Sequence, residues 1–103
     1  MIDLNADLGE SFGSFTVGRD AELIPLLTSA NVACGFHGGD PRVMDRTVRA
    51  CRRAGVAVGA HPSFPDLVGF GRRAMEASAV EAETDVLYQV AALPLRVPAG
   101  ERL

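Results

Sequence analysis

The sequence predicts an α/β fold built on a parallel sheet, and three observations predict it. Short apolar runs, "MIDLNADL", "SANVAC" and "VAVGA", alternate with segments of helical character. The order reads strand, short helix, strand, helix, strand, helix, which calls for crossover connections between parallel strands. The run "VAVGA" has no polar position, as expected of a parallel strand covered on both faces. Two architectures fit: the first part of a (β/α) barrel, or a small doubly wound sheet. A closed barrel takes about eight strands and about 250 residues, so in the barrel reading these 103 residues are an incomplete part of one domain.

Each element carries its own signal. The first strand is expected over Ile2 to Ala6, followed by the glycine-containing loop "GESFGSFTVGRD". "DAELIPLL" holds a short helix capped by Asp20 and limited by Pro25, because proline lacks the N–H that a helix interior needs. "SANVAC" is the second strand. The next helix is the best signalled: Asp40 suits the N-cap and Pro41 the first helical position. Val43, Met44, Thr47, Val48, Cys51 and Ala54 form one face at helical spacing. Arg42, Arg46, Arg49 and Arg53 form the opposite face, read as solvated, with Asp45 supporting Arg49 one turn on. Gly55 stops the helix. After the third strand, "HPSFPDLVGFGRR" is a loop. "SAVE" then reads as a capping box, Ser78 with Glu81. The last helix follows with Val80, Thr84, Leu87, Tyr88 and Ala91 and fails near Pro94 and Pro98.

Composition removes several function classes. The net charge is -3, so there is no basic footprint for nucleic acid. All ten basic residues are arginine, which excludes a Schiff-base or phosphate-loop lysine within this sequence. Cys34 and Cys51 form neither a Cys-x-x-Cys pair nor a zinc-finger spacing and read as buried thiols. The opening "MIDLNADLGE" has no basic region and no long apolar run, and nothing approaches the ~20 apolar residues of a membrane span. A soluble, cytoplasmic protein is expected.

The chemistry gathers at the strand ends. In either architecture the reacting groups lie beyond the carboxyl ends of the parallel strands. The first strand ends at Asn5, Asp7 and Glu10, the second at His37 and Asp40, and the third at His61, followed by Ser63 and Asp66. Asp7, His37 and His61 are the primary catalytic candidates, aimed at one point by three strand ends. One carboxylate and two imidazoles are also a donor set suited to zinc or a related divalent metal. Asp40 doubles as a helix cap, Asp66 as a turn organiser after Pro65, and Glu10 as loop surface. Arg72 and Arg73 are of a type that holds a carboxylate or phosphate through paired hydrogen bonds. There is no His-Glu-x-x-His, Gly-x-Ser-x-Gly or Gly-x-Gly-x-x-Gly pattern.

The stretches "IDLNADLGESFG", "TSANVACGFHGGDP", "GVAVGAHPSFPDLVGFGRR" and "VLYQVAAL" resemble the start of the LamB/YcsF family, whose members are also known as the A subunit of 5-oxoprolinase. The resemblance runs from Ile2 to about Leu93 and implies a (β/α)-barrel-like fold related to polysaccharide deacetylases, here an N-terminal part with about three strands. It further implies ATP-dependent opening of 5-oxoproline to L-glutamate, in company with subunits B and C. The family pattern carries over onto Asn5, Asp7, Glu10, His37, Asp40, His61 and the stretch Gly69 to Arg73. Among these, Asp7, His37 and His61 are expected to be catalytic, and Asn5, Glu10, Asp40, Arg72 and Arg73 to bind substrate. The alternatives are a metal-dependent, deacetylase-like amide hydrolase using Asp7, His37 and His61 as ligands, or an inactive truncated piece. Residues 94–103, "PLRVPAGERL", depart from the pattern as a proline-containing tail, and the family's later Lys-Pro-His-Gly motif does not occur.

Overall fold

A computed structural model describes residues 2–93; the tail expected to diverge lies outside the described residues. Strands β1 (Asn5–Leu8), β2 (Ser29–Ala33) and β3 (Ala57–His61) form a parallel sheet in the order β1-β2-β3. Register sets Asp7 beside Asn31, Asn31 beside Gly59 and Ala33 beside His61. Helix α1 (Asp20–Leu23) runs into a 3-10 turn (Ile24–Leu26) at Pro25. Helix α2 (Pro41–Arg53) crosses from β2 to β3, and α3 (Ala79–Ala92) follows β3.

The sheet has one apolar and one polar face, as alternation along a strand dictates. Ala6, Leu8, Ala30, Val32, Val58 and Ala60 belong to the apolar clusters. Against them α2 buries Val43, Met44, Thr47, Val48 and Cys51, five of the six expected positions; the sixth, Ala54, is the exposed C-cap. The other face presents Asn5, Asp7, Ser29 and Asn31, of which Asn5 and Asp7 are exposed. Cover on both faces, expected for "VAVGA", is therefore not found among the described residues. Small residues at Ala57 and Gly59 hid the sidedness, because they carry no polar label on the open face.

The helix caps follow the sequence more closely than the strand limits do. The Asp40 carboxylate accepts from the Val43 amide at 2.9 Å, with Pro41 in the first turn. Arg49 Nε donates to Asp45 at 3.0 Å, one turn away. Ser78 and Glu81 exchange both bonds of the capping box, at 3.0 and 3.1 Å. Two limits differ. β1 begins at Asn5 rather than Ile2, since Leu4 and Ile2 lie exposed before the sheet. Asp20 is the first residue of α1 rather than its cap; its carboxylate accepts instead from the Gly9 amide at 2.8 Å.

Helix α3 departs most. Of the residues the helix was expected to run through, Val80, Leu87 and Tyr88 are 68%, 65% and 66% exposed, while Gln89 is fully buried. The helix docks through the Gln89 side onto the segment after β3, which turns the aliphatic side outward. No helix among the described residues is long and apolar enough to cross a membrane.

Candidate functional site

The site forms where the three strands end. After β1 the chain turns at Gly9 and brings Glu10 over the segment that follows β2. The fit there is backbone on backbone: a Cβ on Gly38 would lie 2.9 Å from the Glu10 carbonyl oxygen, and one on Gly39 would lie 2.6 Å from that of Gly9. Gly39 also has φ +79°, a conformation that disfavours other residues. The paired glycines after His37 thus let two loops touch, and that contact carries Glu10 to the imidazole.

His37 is 2% exposed, and its Nε2 lies 2.8 Å from Glu10 Oε2. His61, the last residue of β3, lies beside it with ring centroids 4.6 Å apart and the ring planes tilted by 56°. Phe70 meets the other side of His37 edge-on at 5.0 Å. The Phe70 backbone has φ +57°, a region costly for a bulky residue. His61 Nδ1 faces two carboxylates, Asp7 Oδ1 at 3.8 Å and Glu10 Oε2 at 4.0 Å, and has no hydrogen-bond partner among the described residues. Asp7 is steadied from the next strand: Asn31 Nδ2 donates to Asp7 Oδ1 at 3.1 Å and to Asn5 Oδ1 at 2.9 Å.

These groups open into a groove of about 250 Å³ lined by Glu10, His37, His61, Ser63, Phe70 and Arg72, among others. The expected residues therefore divide. Glu10, His37, His61 and Arg72 meet in the groove; Asp7 stands at its edge against His61. Asn5 lies lower on the polar sheet face, joined to Ser29 Oγ at 2.9 Å. Asp40 is turned away, bonded to the Val43 amide and at 2.7 Å to the Gly13 amide. Arg73 is held by the buried Asp66, its Nε donating at 2.9 Å and a second guanidinium nitrogen donating to the same oxygen. That contact, opposed in part by burial, holds the Asp66 carboxyl at about 2. Asp66 also accepts from the Gly69 amide at 2.9 Å, so it organises the loop around the groove.

Among the described residues, Glu10, His37 and His61 are the group whose ligand atoms, all within 4.8 Å of one another, could hold a divalent metal. Glu10 takes the place expected for Asp7, because the Gly38–Gly39 contact folds its loop back toward the two rings. Two residues escaped sequence reasoning. Asn31 orients Asp7, and Gln89 binds the peptide of Ser63 through both ends of its amide. A glutamine amid the apolar "VLYQVAAL" was the available signal for the second.

Comparison with known proteins places this arrangement in a family. The LamB/YcsF family pattern matches residues 2–100. A protein of Symbiobacterium thermophilum, named as the A subunit of 5-oxoprolinase, is 64% identical over 92 residues, 89% of this chain and 35% of its own length. One of the same name from Gluconobacter oxydans is 57% identical over 103 residues, 99% of this chain and 41% of its own length. The crystal structure of a lactam utilization protein from Thermus thermophilus superposes with a TM-score of 0.87 at 61% identity, over 89% of this chain and 37% of that one. The chain thus spans well under half the length of the relatives it matches. With the family pattern covering nearly all of its residues, the chain belongs to the LamB/YcsF family.

Proposed function

We propose that this sequence supplies part of the reacting site of an ATP-dependent 5-oxoprolinase, which opens 5-oxo-L-proline to L-glutamate in the cytoplasm together with subunits B and C. The observation that carries the reading is the pair of imidazoles 4.6 Å apart, faced by Glu10 and Asp7, in a groove of a size for a small molecule. Relatives named as the A subunit of 5-oxoprolinase give the substrate class. The sequential order β1-β2-β3 also suits the opening of a (β/α)-barrel-like fold related to polysaccharide deacetylases, whose later strands would face the open polar side of the sheet.

A five-membered lactam is a stable amide. ATP would supply the activation: with the lactam oxygen phosphorylated, water adds to the carbonyl carbon, the ring C–N bond breaks as its nitrogen takes a proton, and the resulting acyl phosphate is hydrolysed by a second water to L-glutamate and inorganic phosphate. His61 is the imidazole open to the groove, with a side chain one-third exposed. Its Nδ1 is turned toward the carboxylates, which leaves Nε2 to take the proton of the attacking water. Glu10 fixes the His37 ring and, with Asp7, stabilises positive charge as it forms on His61. Arg72 is the cation on the groove wall and is suited to the carboxylate of 5-oxoproline or to a phosphate oxygen. Arg73, engaged by Asp66, shapes the loop instead. The test is glutamate formation by the assembled enzyme containing this sequence. Formation that requires ATP, 5-oxoproline and all three components supports the reading; formation unchanged when this chain is omitted overturns it.

A second reading has its own observation. Glu10, His37 and His61 converge closely enough to hold a divalent metal, with borderline nitrogen and oxygen donors that suit zinc. A metal there would polarise the lactam carbonyl as a Lewis acid, in the manner of a deacetylase-like amide hydrolase. Elemental analysis separates the two: stoichiometric zinc lost in Glu10→Gln supports the metal reading, and metal-free protein that retains full turnover excludes it.

A further inference from the structure

We propose that Gln89 is a positioning residue for the reacting groove, acting through the peptide of Ser63 on the segment that carries His61. Among the described residues, Gln89 is the one buried position of α3, and it is fully buried. Its Oε1 accepts from the Ser63 amide at 2.9 Å, and its Nε2 donates to the Ser63 carbonyl at 2.8 Å and to the Asp85 carbonyl at 3.0 Å. The side-chain amide therefore pairs with one backbone residue as a neighbouring strand would, in both directions. Ser63 and Pro62 follow His61 directly and line the groove with it. The backbone leaving His61 is thus fixed two residues on, by a group without conformational freedom of its own.

The burial pattern says that this contact is specific. A helix that docked only for apolar cover would bury Val86, Leu87 or Val90; all three are exposed by 41% or more, and the amide is inside. A buried amide is costly unless its hydrogen bonds are made, and here both its polar atoms are bonded. A second loop crowds the Ser63 side chain: a Cβ on Gly71 would collide with Ser63 Oγ and lie 3.0 Å from His37 Cβ. Gln89 thus holds the backbone of Ser63 while Gly71 leaves room for its side chain, and the segment so placed sets where His61 stands relative to His37.

The proposal rests on the reading of the groove as the reacting site, and its test separates the two. The variants are Gln89→Met, which keeps length and helix propensity but removes the amide, and Gln89→Glu, which keeps the acceptor and loses the donor. Leu87→Ala, on the exposed side of the same helix, is the control. With only two histidines in the chain, ring carbon–proton signals report each imidazole at fixed pH. Both Gln89 variants should keep their helical circular dichroism, and the His61 signals should move more than those of His37. In the assembled enzyme kcat should fall about 10-fold or more with KM changed far less, the scale of a misplaced reacting group. Leu87→Ala should change neither. Unmoved His61 signals in a folded Gln89→Met variant would overturn the proposal. So would loss of the fold in both variants, which would make Gln89 a general stability element. Failure of the functional reading looks different: turnover would then persist when His61 itself is replaced.

Discussion

His37 and His61 meet at a tilt of 56° with ring centroids 4.6 Å apart, although one sits in a loop and the other ends a strand. The register Ala33–His61 sets the two chain segments side by side, and the bend at Gly35 to Gly39 turns His37 back over the end of the sheet. Glu10 bonds the buried ring and Asp7 faces the open one. The two imidazoles therefore differ: one is enclosed and fixed, the other is partly open to the groove.

Glu10 and Asp7 can be ranked. Glu10 reaches both rings, whereas Asp7 reaches only His61. Glu10→Gln should lower turnover of the assembled enzyme by about 10²-fold, and Asp7→Asn by less, the scale of a lost group in proton transfer. Steady-state kinetics of the two variants decide it. A larger loss in Asp7→Asn would restore Asp7 as the principal carboxylate.

The Asp66–Arg73 pair gives a pH dependence. The bond from Arg73 lowers the Asp66 carboxyl to about 2, so the folded chain binds its proton less readily than the unfolded chain. The stability this provides is complete above the ordinary carboxylate value of ~3.9 and drains away as the pH falls toward about 2. Urea midpoints should fall over that window, and less steeply in Asp66→Asn. A residual slope remains from Asp40 and Glu81, whose carboxyls are also lowered by backbone hydrogen bonds. Equal slopes in parent and variant would remove Asp66 from the account.

Asp40 is predicted to act on stability. It caps α2 and ties down the Gly13 amide, and it points away from the groove. Asp40→Ala should cost about 1 kcal/mol, the usual scale for a lost cap. Asp40→Ser should recover part of that, as read by urea denaturation. A stable variant that has lost turnover would place Asp40 among the substrate contacts instead.

Gly71→Ala should close the groove. The residue has φ +73°, and an added Cβ would meet Ser63 Oγ and His37 Cβ. Binding of 5-oxoproline, measured by calorimetry on the assembled enzyme, should weaken about 10-fold or more, with displaced His37 ring signals. Unchanged affinity would mean that Ser63 turns aside without consequence.

Local signals in the sequence were legible and contacts between loops were not. Asp40-Pro41, the Asp45–Arg49 pair, Gly55 and the Ser78–Glu81 box each act within one or two helical turns, so their spacing alone reveals them. His37 and His61 were legible as strand-end residues. The role of Glu10 was not, since it depends on Gly38 and Gly39 letting one backbone rest on another. Gln89 was missed because the apolar residues around it do not mark which side of α3 docks, and the buried position is the amide. The open face of β3 was missed because alanine and glycine fit a buried and an exposed surface equally well.

If the reaction occurs in the groove around His61, replacing that residue in the assembled enzyme, as His61→Ala, removes the base that the groove presents. His61 is partly open, so the variant should fold; circular dichroism and the mass of the assembled complex check this. ATP-dependent glutamate formation should fall by about 10²-fold or more at unchanged assembly. Turnover within a few-fold of the parent, in a fully assembled and folded variant, would mean that the reaction occurs elsewhere.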